Sequence, residues 1–193
     1  MADNTGEISP SPASLIYTTV GMNRELRQAE IISGVIQYVY DPVRKLNQPV
    51  EHDFAISATP DCDLLQEFNK RDAGKASDLN TILFYEVQIA AAAKASIGGT
   101  DLWKRVKNNK DERYHVLQAV PDNFDLLGIG LAAMFVDFKK SFSLTPHQIY
   151  NQIGSGVTLK RRCRLEMPYR EHFTSRAAFF FQRVMLPEQH ELD

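Results

Sequence analysis

The sequence predicts an α+β fold, a small and strongly bent β-sheet or barrel with three to four helices packed on it. Six or seven short runs carry strand signals, either aromatic and β-branched enrichment or alternation of apolar and polar residues. Three or four further segments carry helix signals such as caps and alanine runs. Apolar residues make up 44% of the 193-residue chain, which is enough for a packed core. This mixture is typical of an α+β domain.

The strand predictions follow from local composition. The run at 31–40 is rich in Ile, Val and Tyr, and Gly34 within it marks a bend or bulge. The run at 157–166 alternates apolar and polar residues, with Arg161 as the exception on the apolar face. An Asp-Pro pair after residue 40 begins a loop. The predicted strands cover residues 15–20, 31–40, 54–59, 82–89, 114–120, 131–138 and 157–166.

The helix predictions rest on caps and intrinsic propensity. The alanine-rich run at 90–95 favours a helix, which ends before the pair Gly98-Gly99. Thr100 is a good N-cap for the next helix. Thr145 followed by Pro146 is an N-cap with proline at the first helical position, and Pro168 opens the last helix. The predicted helices cover residues 90–95, 101–107, 147–153 and 168–184, and a short one opens the segment 61–76.

Composition limits the architecture and the location of the protein. We predict a disordered tail over residues 1–14, one α+β domain over 15–187 and a frayed tail over 188–193. No run approaches the roughly 18 apolar residues of a membrane-spanning helix. Cys62 and Cys163 are too few for a disulfide scaffold or a four-thiolate zinc site, so a cytoplasmic protein is expected. The net charge of −2 excludes a globally basic nucleic-acid binder and leaves room for a local patch.

Asp61, Cys62 and Asp63 stand together directly after the predicted strand at 54–59. The two carboxylates could hold a divalent metal, or one of them could act as a general base. Cys62 would be a poor nucleophile, because adjacent carboxylates raise the pKa of a thiol. In the structural alternative, Asp61 caps the following turn, Cys62 is a small core residue and Asp63 pairs with an arginine.

Two basic segments are candidate nucleic-acid contacts. On a strand, Lys160, Arg162 and Arg164 would face solvent on one side, about 7 Å apart at each step, which resembles the phosphate repeat of a nucleic-acid strand. An edge strand guarded by charge gives the same pattern. Lys104 and Arg105 belong to a segment that mixes basic and aromatic residues, which suits RNA or single-stranded DNA and equally a helix end with a polar hairpin.

Three further arginines are predicted to serve structural ion pairs, and one histidine is a candidate catalytic base. Arg176 and Arg183 lie along the edge of the apolar face of the last helix, where they could clamp an anion or extend beside the core. We expect a buried pair between Arg176 and Asp63, or between Arg161 and Asp61. His115 is either a general base or a hydrogen-bonded structural residue.

Three segments resemble a group of small, largely uncharacterised bacterial proteins. Residues 27–31 read Arg-Gln-Ala-Glu-Ile, where those proteins have Arg-Gln-x-Glu/Asp-Ile. A strand then leads to the pair Cys62-Asp63, and residues 181–187 fit Phe-x-Arg-Val-x-Leu-Pro at the end of the last helix. The resemblance implies a bacterial or phage protein, for which a defence or toxin–antitoxin setting is expected, and carries no activity to transfer.

The first two segments also resemble, at the level of the fold, the barrel of MazF/PemK-type toxin endoribonucleases. Residues 29–31 (Ala-Glu-Ile) stand where the toxins have Gly-Asp-Ile, and Ile56-Ser57 stands where they have Leu-Ser. The Arg-Pro dipeptide that carries the toxins' basic catalytic residue is missing from this sequence. The resemblance therefore implies an SH3-like barrel and not the ribonuclease chemistry.

The sequence thus leads to two functional expectations. The first is a regulatory or interaction protein of a bacterial or phage defence or toxin–antitoxin type system, which binds a protein partner or a nucleic acid, without a cofactor and away from membranes. The alternative is a metal-dependent nuclease or hydrolase that uses Asp61 and Asp63, with His115 in support and a divalent metal as cofactor. Either protein could form oligomers.

Overall fold

The structure is a computed structural model that describes residues 16–22, 24–97 and 99–182. The predicted tails and Arg183 lie outside the described residues. The α+β prediction is confirmed, since a seven-stranded antiparallel sheet and five α-helices make up the described part of the chain. The strands are β1 (Tyr17–Thr18), β2 (Glu30–Asp41), β3 (Leu46–Ser57), β4 (Ile82–Ile89), β5 (Tyr114–Leu117), β6 (Met134–Leu144) and β7 (Lys160–Leu165). The helices are α1 (Asp61–Asp72), α2 (Ala90–Ile97), α3 (Thr100–Lys107), α4 (Pro146–Ser155) and α5 (Tyr169–Phe181).

The strand order is β1-β7-β2-β3-β4-β6-β5, so β1 and β5 are the two edges of an open sheet. The edges nevertheless come close together, because the hydroxyl of Tyr17 donates a hydrogen bond of 2.5 Å to the carbonyl oxygen of Gln118, directly after β5. The sheet therefore curves far enough for one side-chain hydrogen bond to reach from one edge to the other. Closure into an SH3-like barrel stays a prediction, because a side-chain bond and not a strand pairing joins the edges.

Helices cover both faces of the sheet. On one face, α5 inserts Phe173 into a core that includes Tyr85, with the two rings edge to face. On the other face, α1 and α4 contribute Leu64 and Ile149 to a second core. Consecutive strand residues alternate between the two cores, as a side-chain period of two requires. None of the described helices is both long and apolar enough to cross a membrane.

Local signals explain the helix boundaries. The side chain of Thr145 accepts a hydrogen bond from the N–H of Gln148, whose own side chain bonds back to the N–H of Thr145, and this capping box begins α4 at the predicted position. Gly156 in the left-handed conformation ends the helix. The helix after Pro60 is longer than predicted, because acidic residues in its first turn and basic residues in its last turn favour α1 over 12 residues.

The strands β2 and β3 extend beyond the sheet as a two-stranded hairpin. β2 pairs with β7 only as far as Ser33, and β3 pairs with β4 only from Phe54 onward. We call residues 37–50, which pair only with each other, the arm. The sequence predicts a loop after residue 40, and this prediction is wrong for residues 46–53. Those residues form strand without an alternating pattern, because the arm has no buried face that would impose one.

Gly34 lies where the arm leaves the sheet, with φ of +67°. A Cβ at this residue would lie 2.4 Å from the carbonyl oxygen of Thr158. We expect Gly34→Ala to lower the free energy of unfolding by about 3 kcal/mol or more, because a left-handed φ costs about 1–2 kcal/mol and the backbone contact adds to it. Gly74→Ala is the matched control, since Gly74 has φ of +65° and open space around the new Cβ. Urea unfolding measures the loss of unfolding free energy in each variant. Equal losses would contradict a contribution from the contact with Thr158.

Candidate functional site

Asp61 is the centre of an ion network that joins four segments of the chain. Its carboxylate accepts hydrogen bonds from the N–H of Gln28 at 2.7 Å and from Nε of Arg27 at 3.1 Å. The guanidinium of Arg170 donates to it at 2.9 Å, and that of Arg164 also donates to it. The side chain of Asp61 is 25% exposed, so the network lies at the surface but is partly shielded from water.

The network is balanced in charge. Glu25 pairs with Arg27 at 2.7 Å and Glu171 pairs with Arg170 at 2.8 Å, so three carboxylates face three guanidinium groups. Partial burial raises the pKa of Asp61, but the bond from the N–H of Gln28 and the charges of Arg164 and Arg27 outweigh it and hold the pKa below its ordinary value. A carboxylate that stays ionised with its oxygens occupied is a poor general base and a poor metal ligand.

Asp63 does not share this network. Two positions apart on α1, Asp61 and Asp63 project about 200° apart around the helix axis. Asp63 is exposed, accepts a weak hydrogen bond from the Cys62 thiol at 3.5 Å, and lines a shallow cavity of about 260 Å³ with Glu67 and Lys70. Cys62 is exposed, so its predicted core position is wrong.

The described residues contain no group of three or more His, Cys, Asp or Glu that could hold a metal ion. A metal-dependent nuclease or hydrolase that uses Asp61 and Asp63 therefore stays a prediction, and the separation of the two carboxylates does not favour it.

The basic strand β7 does not form the expected solvent-facing stripe. Arg162 is buried and forms two hydrogen bonds of 2.7 Å with the carboxylate of Asp125. Arg164 bonds Asp61, and the Lys160 ammonium donates to the carbonyl oxygen of Gly156. The stripe fails for two reasons: β7 lies between β1 and β2 instead of at an edge, and a register shift opposite β2 interrupts its alternation. A nucleic-acid role for these residues stays a prediction.

The arginines predicted to serve structural pairs have other partners than expected. Arg161 forms a buried pair with Glu30, at 2.6 and 2.8 Å, and also donates to the carbonyl oxygen of Arg24 at 2.7 Å. The predicted pair of Arg161 with Asp61 is therefore wrong. The predicted pair of Arg176 with Asp63 is also wrong, because Arg176 donates to three backbone carbonyls, those of Asn109, Asp111 and Tyr114.

The remaining candidates lie around α3 and β5. Lys104 and Arg105 are exposed on α3 and form loose surface ion pairs. His115 is 4% exposed on β5, and its ring neighbours are His172, Phe138 and Phe173 instead of Asp61 or Asp63. Burial, reinforced by the charges of Arg176 and His172, lowers the pKa of His115 to about 3, so the imidazole is neutral at physiological pH. The three predicted catalytic residues are not assembled into one site.

Sequence reasoning missed two features that the structure brings out. One is the arm, which carries the exposed apolar residues Tyr38, Val39, Tyr40, Val43, Leu46 and Val50. The sequence feature that could have revealed the arm is the run Tyr38-Val39-Tyr40 before the turn. Three consecutive apolar residues of a strand cannot all be buried on one face of a sheet. The other is a cavity of about 280 Å³ between the two sheet edges, which only the bending of the sheet creates.

The chain matches no model of a known protein family, and no curated protein sequence is significantly similar to it. The resemblances described above stay expectations for this reason. A functional proposal must therefore come from the geometry of the molecule.

Asp61 and Asp63 offer a matched test of the ion network. We expect Asp61→Asn to lower the free energy of unfolding by about 2–3 kcal/mol, because it leaves partly buried guanidinium groups without their counter-ion. Asp63→Asn, two residues away on the exposed side of α1, should change it by less than about 0.5 kcal/mol. Urea unfolding of each variant measures its change in unfolding free energy. Similar losses in the two variants would contradict the central position of Asp61.

The lowered pKa of Asp61 also predicts a pH dependence. Because the native pKa lies below the ordinary value of 3.8, the stabilisation by the carboxylate is complete above that value and is lost as the pH falls through the native pKa. The difference in unfolding free energy between the unmodified protein and Asp61→Asn should therefore stay constant above about pH 5 and shrink as the pH falls below the ordinary value of 3.8. A difference that persists to low pH would show that charge is not its cause.

Proposed function

We propose that this protein is an interaction protein that binds a partner protein through the arm. The observation that carries the proposal is the concentration of exposed apolar side chains there. Six of the fifteen large apolar residues exposed in the described structure lie within residues 38–50, although the arm is a small part of the chain. Single exposed apolar residues are ordinary on protein surfaces, but a contiguous set is typical of a binding surface.

Both faces of the arm are apolar. The register pairs Tyr38 with Pro49 and places Tyr40 on the same face, while Val39 and Val50 lie on the opposite face. Tyrosine is enriched at the centres of protein interfaces, because it offers a large apolar area and a polar hydroxyl at low entropic cost. A flat partner surface would cover one face and leave the other in water. The arm therefore suits a partner with an apolar cleft that encloses both faces.

The edges of the arm are less suited to strand addition. The side chain of Gln152 binds both the N–H and the carbonyl oxygen of Ile36, each at 2.8 Å, at the base of the β2 edge. Pro49 lacks an N–H and interrupts the β3 edge. A partner would accordingly recognise side chains of the arm instead of its backbone.

The charges favour a protein partner over a nucleic acid. Within the arm, Arg44 and Lys45 adjoin Asp41, whose carboxylate lies 3.7 Å from the Arg44 guanidinium. The arginines Arg162 and Arg164 are held in ion pairs inside the molecule. Nucleic-acid affinity depends on free cationic groups along the phosphate backbone. The resemblance to small bacterial proteins implies a toxin–antitoxin type system of a bacterium or phage, in the cytoplasm. In such a system, a neighbouring gene would encode the partner.

Site-specific photo-crosslinking tests the proposal in the native host. A photoreactive phenylalanine analogue in place of Tyr40 and, separately, of Val39 should give adducts with one and the same heterologous protein, because the cleft encloses both faces. The same analogue in place of Lys104, exposed on α3, is the control and should not capture that protein. Adducts between two copies of this chain, adducts from one face only, or none would overturn the proposal.

Binding of the purified adduct partner gives the second readout. Tyr38→Ser and Tyr40→Ser should each weaken the affinity at least about tenfold, which is the usual effect of truncating an aromatic anchor. Val157→Ser removes an apolar side chain outside the arm that is at least as exposed as Tyr38 and Tyr40, and it should leave the affinity unchanged. Unaltered affinity in both tyrosine variants would contradict the role of the arm.

A further inference from the structure

We infer that a cavity beside the end of α4 is a binding site for an aliphatic monocarboxylate, held by Lys160 and a set of apolar side chains. This site is separate from the arm and does not rest on the function proposed for it. The cavity measures about 290 Å³, close to the lower end of ligand pockets at roughly 300 Å³. We call it the loop cavity, because the loop between β5 and β6 forms one of its walls.

The walls of the loop cavity are apolar and come from four segments of the chain. Ile153 belongs to α4, and Leu159 lies directly before β7. Met22 lies between β1 and β2, and Leu126 and Leu127 belong to the loop between β5 and β6. Met22, Leu126 and Leu127 are part of none of the hydrophobic cores in the described structure. Apolar side chains that meet at a cavity without joining a core are available to a ligand.

Buried arginines of β7 fix two of these walls. Arg162 pairs with Asp125, and the backbone carbonyl of Arg162 accepts a hydrogen bond from the N–H of Leu126 at 2.8 Å. The Arg161 guanidinium donates to the carbonyl oxygen of Met22 at 3.4 Å. The loop and the segment around Met22 are therefore held in place before a ligand binds, which lowers the entropic cost of binding.

The charges at the loop cavity select an anion. No aspartate or glutamate is among the described residues that line it, whereas Lys160 and Arg161 are. The charge of Arg161 is balanced by Glu30, and the five N–H groups of its guanidinium have five acceptors inside the molecule. Arg161 therefore fixes a wall of the cavity and leaves the recognition of an anion to Lys160.

Lys160 carries a charge that no described carboxylate balances. Its neighbours Arg161, Arg162 and Arg164 on β7 each pair with a carboxylate. The Lys160 ammonium donates instead to the carbonyl oxygen of Gly156, a residue that also lines the cavity, so the ammonium lies at the cavity wall. This carbonyl at the end of α4 attracts a cation, but two of the three ammonium N–H groups are left without an acceptor among the described residues.

An aliphatic monocarboxylate matches this division into one cation and apolar walls. Its carboxylate would accept hydrogen bonds from the Lys160 ammonium, and bonds between charged groups are roughly twice as strong as neutral ones. Its chain would pack on Leu159, which is buried, and would be covered by Met22 and Leu127, which are exposed at the rim. A cationic head group would be repelled by Lys160, and a neutral one would leave its charge unbalanced.

Straight-chain carboxylates test the site directly, with hexanamide as the neutral analogue of hexanoate and hexylamine as the cationic one. Calorimetric titration of the full chain should show saturable hexanoate binding in the millimolar range or tighter, and at least about tenfold weaker binding of the other two. From butanoate to hexanoate the affinity should rise about fourfold for each added methylene group, the usual effect of burying one. No saturable hexanoate binding, equal binding of hexanamide, or an affinity independent of chain length would overturn the proposal.

Methyl NMR shows where hexanoate binds. The methyl signals of Leu126 and Leu127 should shift along the calorimetric saturation curve, whereas those of Val39 and Val50 in the arm should not move. Shifts confined to the arm would show that hexanoate adsorbs to exposed apolar side chains there, and the proposal would fail.

The role of the ammonium is tested by substitution of Lys160. Lys160→Gln should weaken hexanoate binding at least about tenfold and remove the preference for hexanoate over hexanamide, because the bonds to a charged donor are lost. Lys139→Gln, exposed on β6 and outside the cavity, is the matched control and should do neither. Equal hexanoate binding by the two variants would contradict the proposal.

The role of the cavity is tested at Gly154, which lines it and has no atom within 4 Å of a Cβ built there. Gly154→Trp should abolish hexanoate binding, because the ring narrows the cavity, while urea unfolding shows that the chain still folds. Gly154→Ala is the control and should retain binding. A folded Gly154→Trp variant that binds hexanoate like the unmodified protein would overturn the proposal, even if Lys160→Gln fails to fold.

Discussion

Three arginines of β7 tie the sheet to the segments around it. Arg161 is held by Glu30 at the start of β2, Arg162 by Asp125 in the loop before β6, and Arg164 by Asp61 at the start of α1. A buried guanidinium is tolerated only with a well-placed counter-ion, and removing one partner of such a pair typically costs about 3–5 kcal/mol. The position of each of these segments is therefore fixed by charge as well as by packing.

This use of charge changes how the basic segment around Lys160, Arg162 and Arg164 should be interpreted. The sequence suggests that these arginines could bind an external anion, but in the structure they form ion pairs within the molecule. The surfaces that are left for binding a partner are apolar or enclosed. The arm extends beyond the strands that β7 organises, and the cavity between the sheet edges lies where β1, which pairs with β7, approaches β5. Both features depend on a framework in which long-range ion pairs join distant segments, and this framework gives a binding element and a pocket a defined geometry.

Features set by nearby residues could be predicted, and those set by distant residues could not. Thr145 and Pro146 act within one helical turn, so the start of α4 followed from the sequence. The partner of Arg161 lies 131 residues away and depends on which strand neighbours β7, which no local pattern encodes. The separation of Asp61 from Asp63 was missed for a related reason, since adjacency in sequence does not show that a helix turns the two side chains apart.

The position of β7 in the sheet has a consequence for the order in which the protein can fold. β2 and β3 are made early and pair locally, but the strand that belongs on the other side of β2 is made about 130 residues later. At roughly 5–20 residues per second, this edge of β2 waits on the order of ten seconds during synthesis, with Glu30 lacking its counter-ion. Such non-local pairing slows folding and prolongs exposure of an unpaired edge. The nascent chain is therefore most vulnerable to misassociation before β7 has left the ribosome.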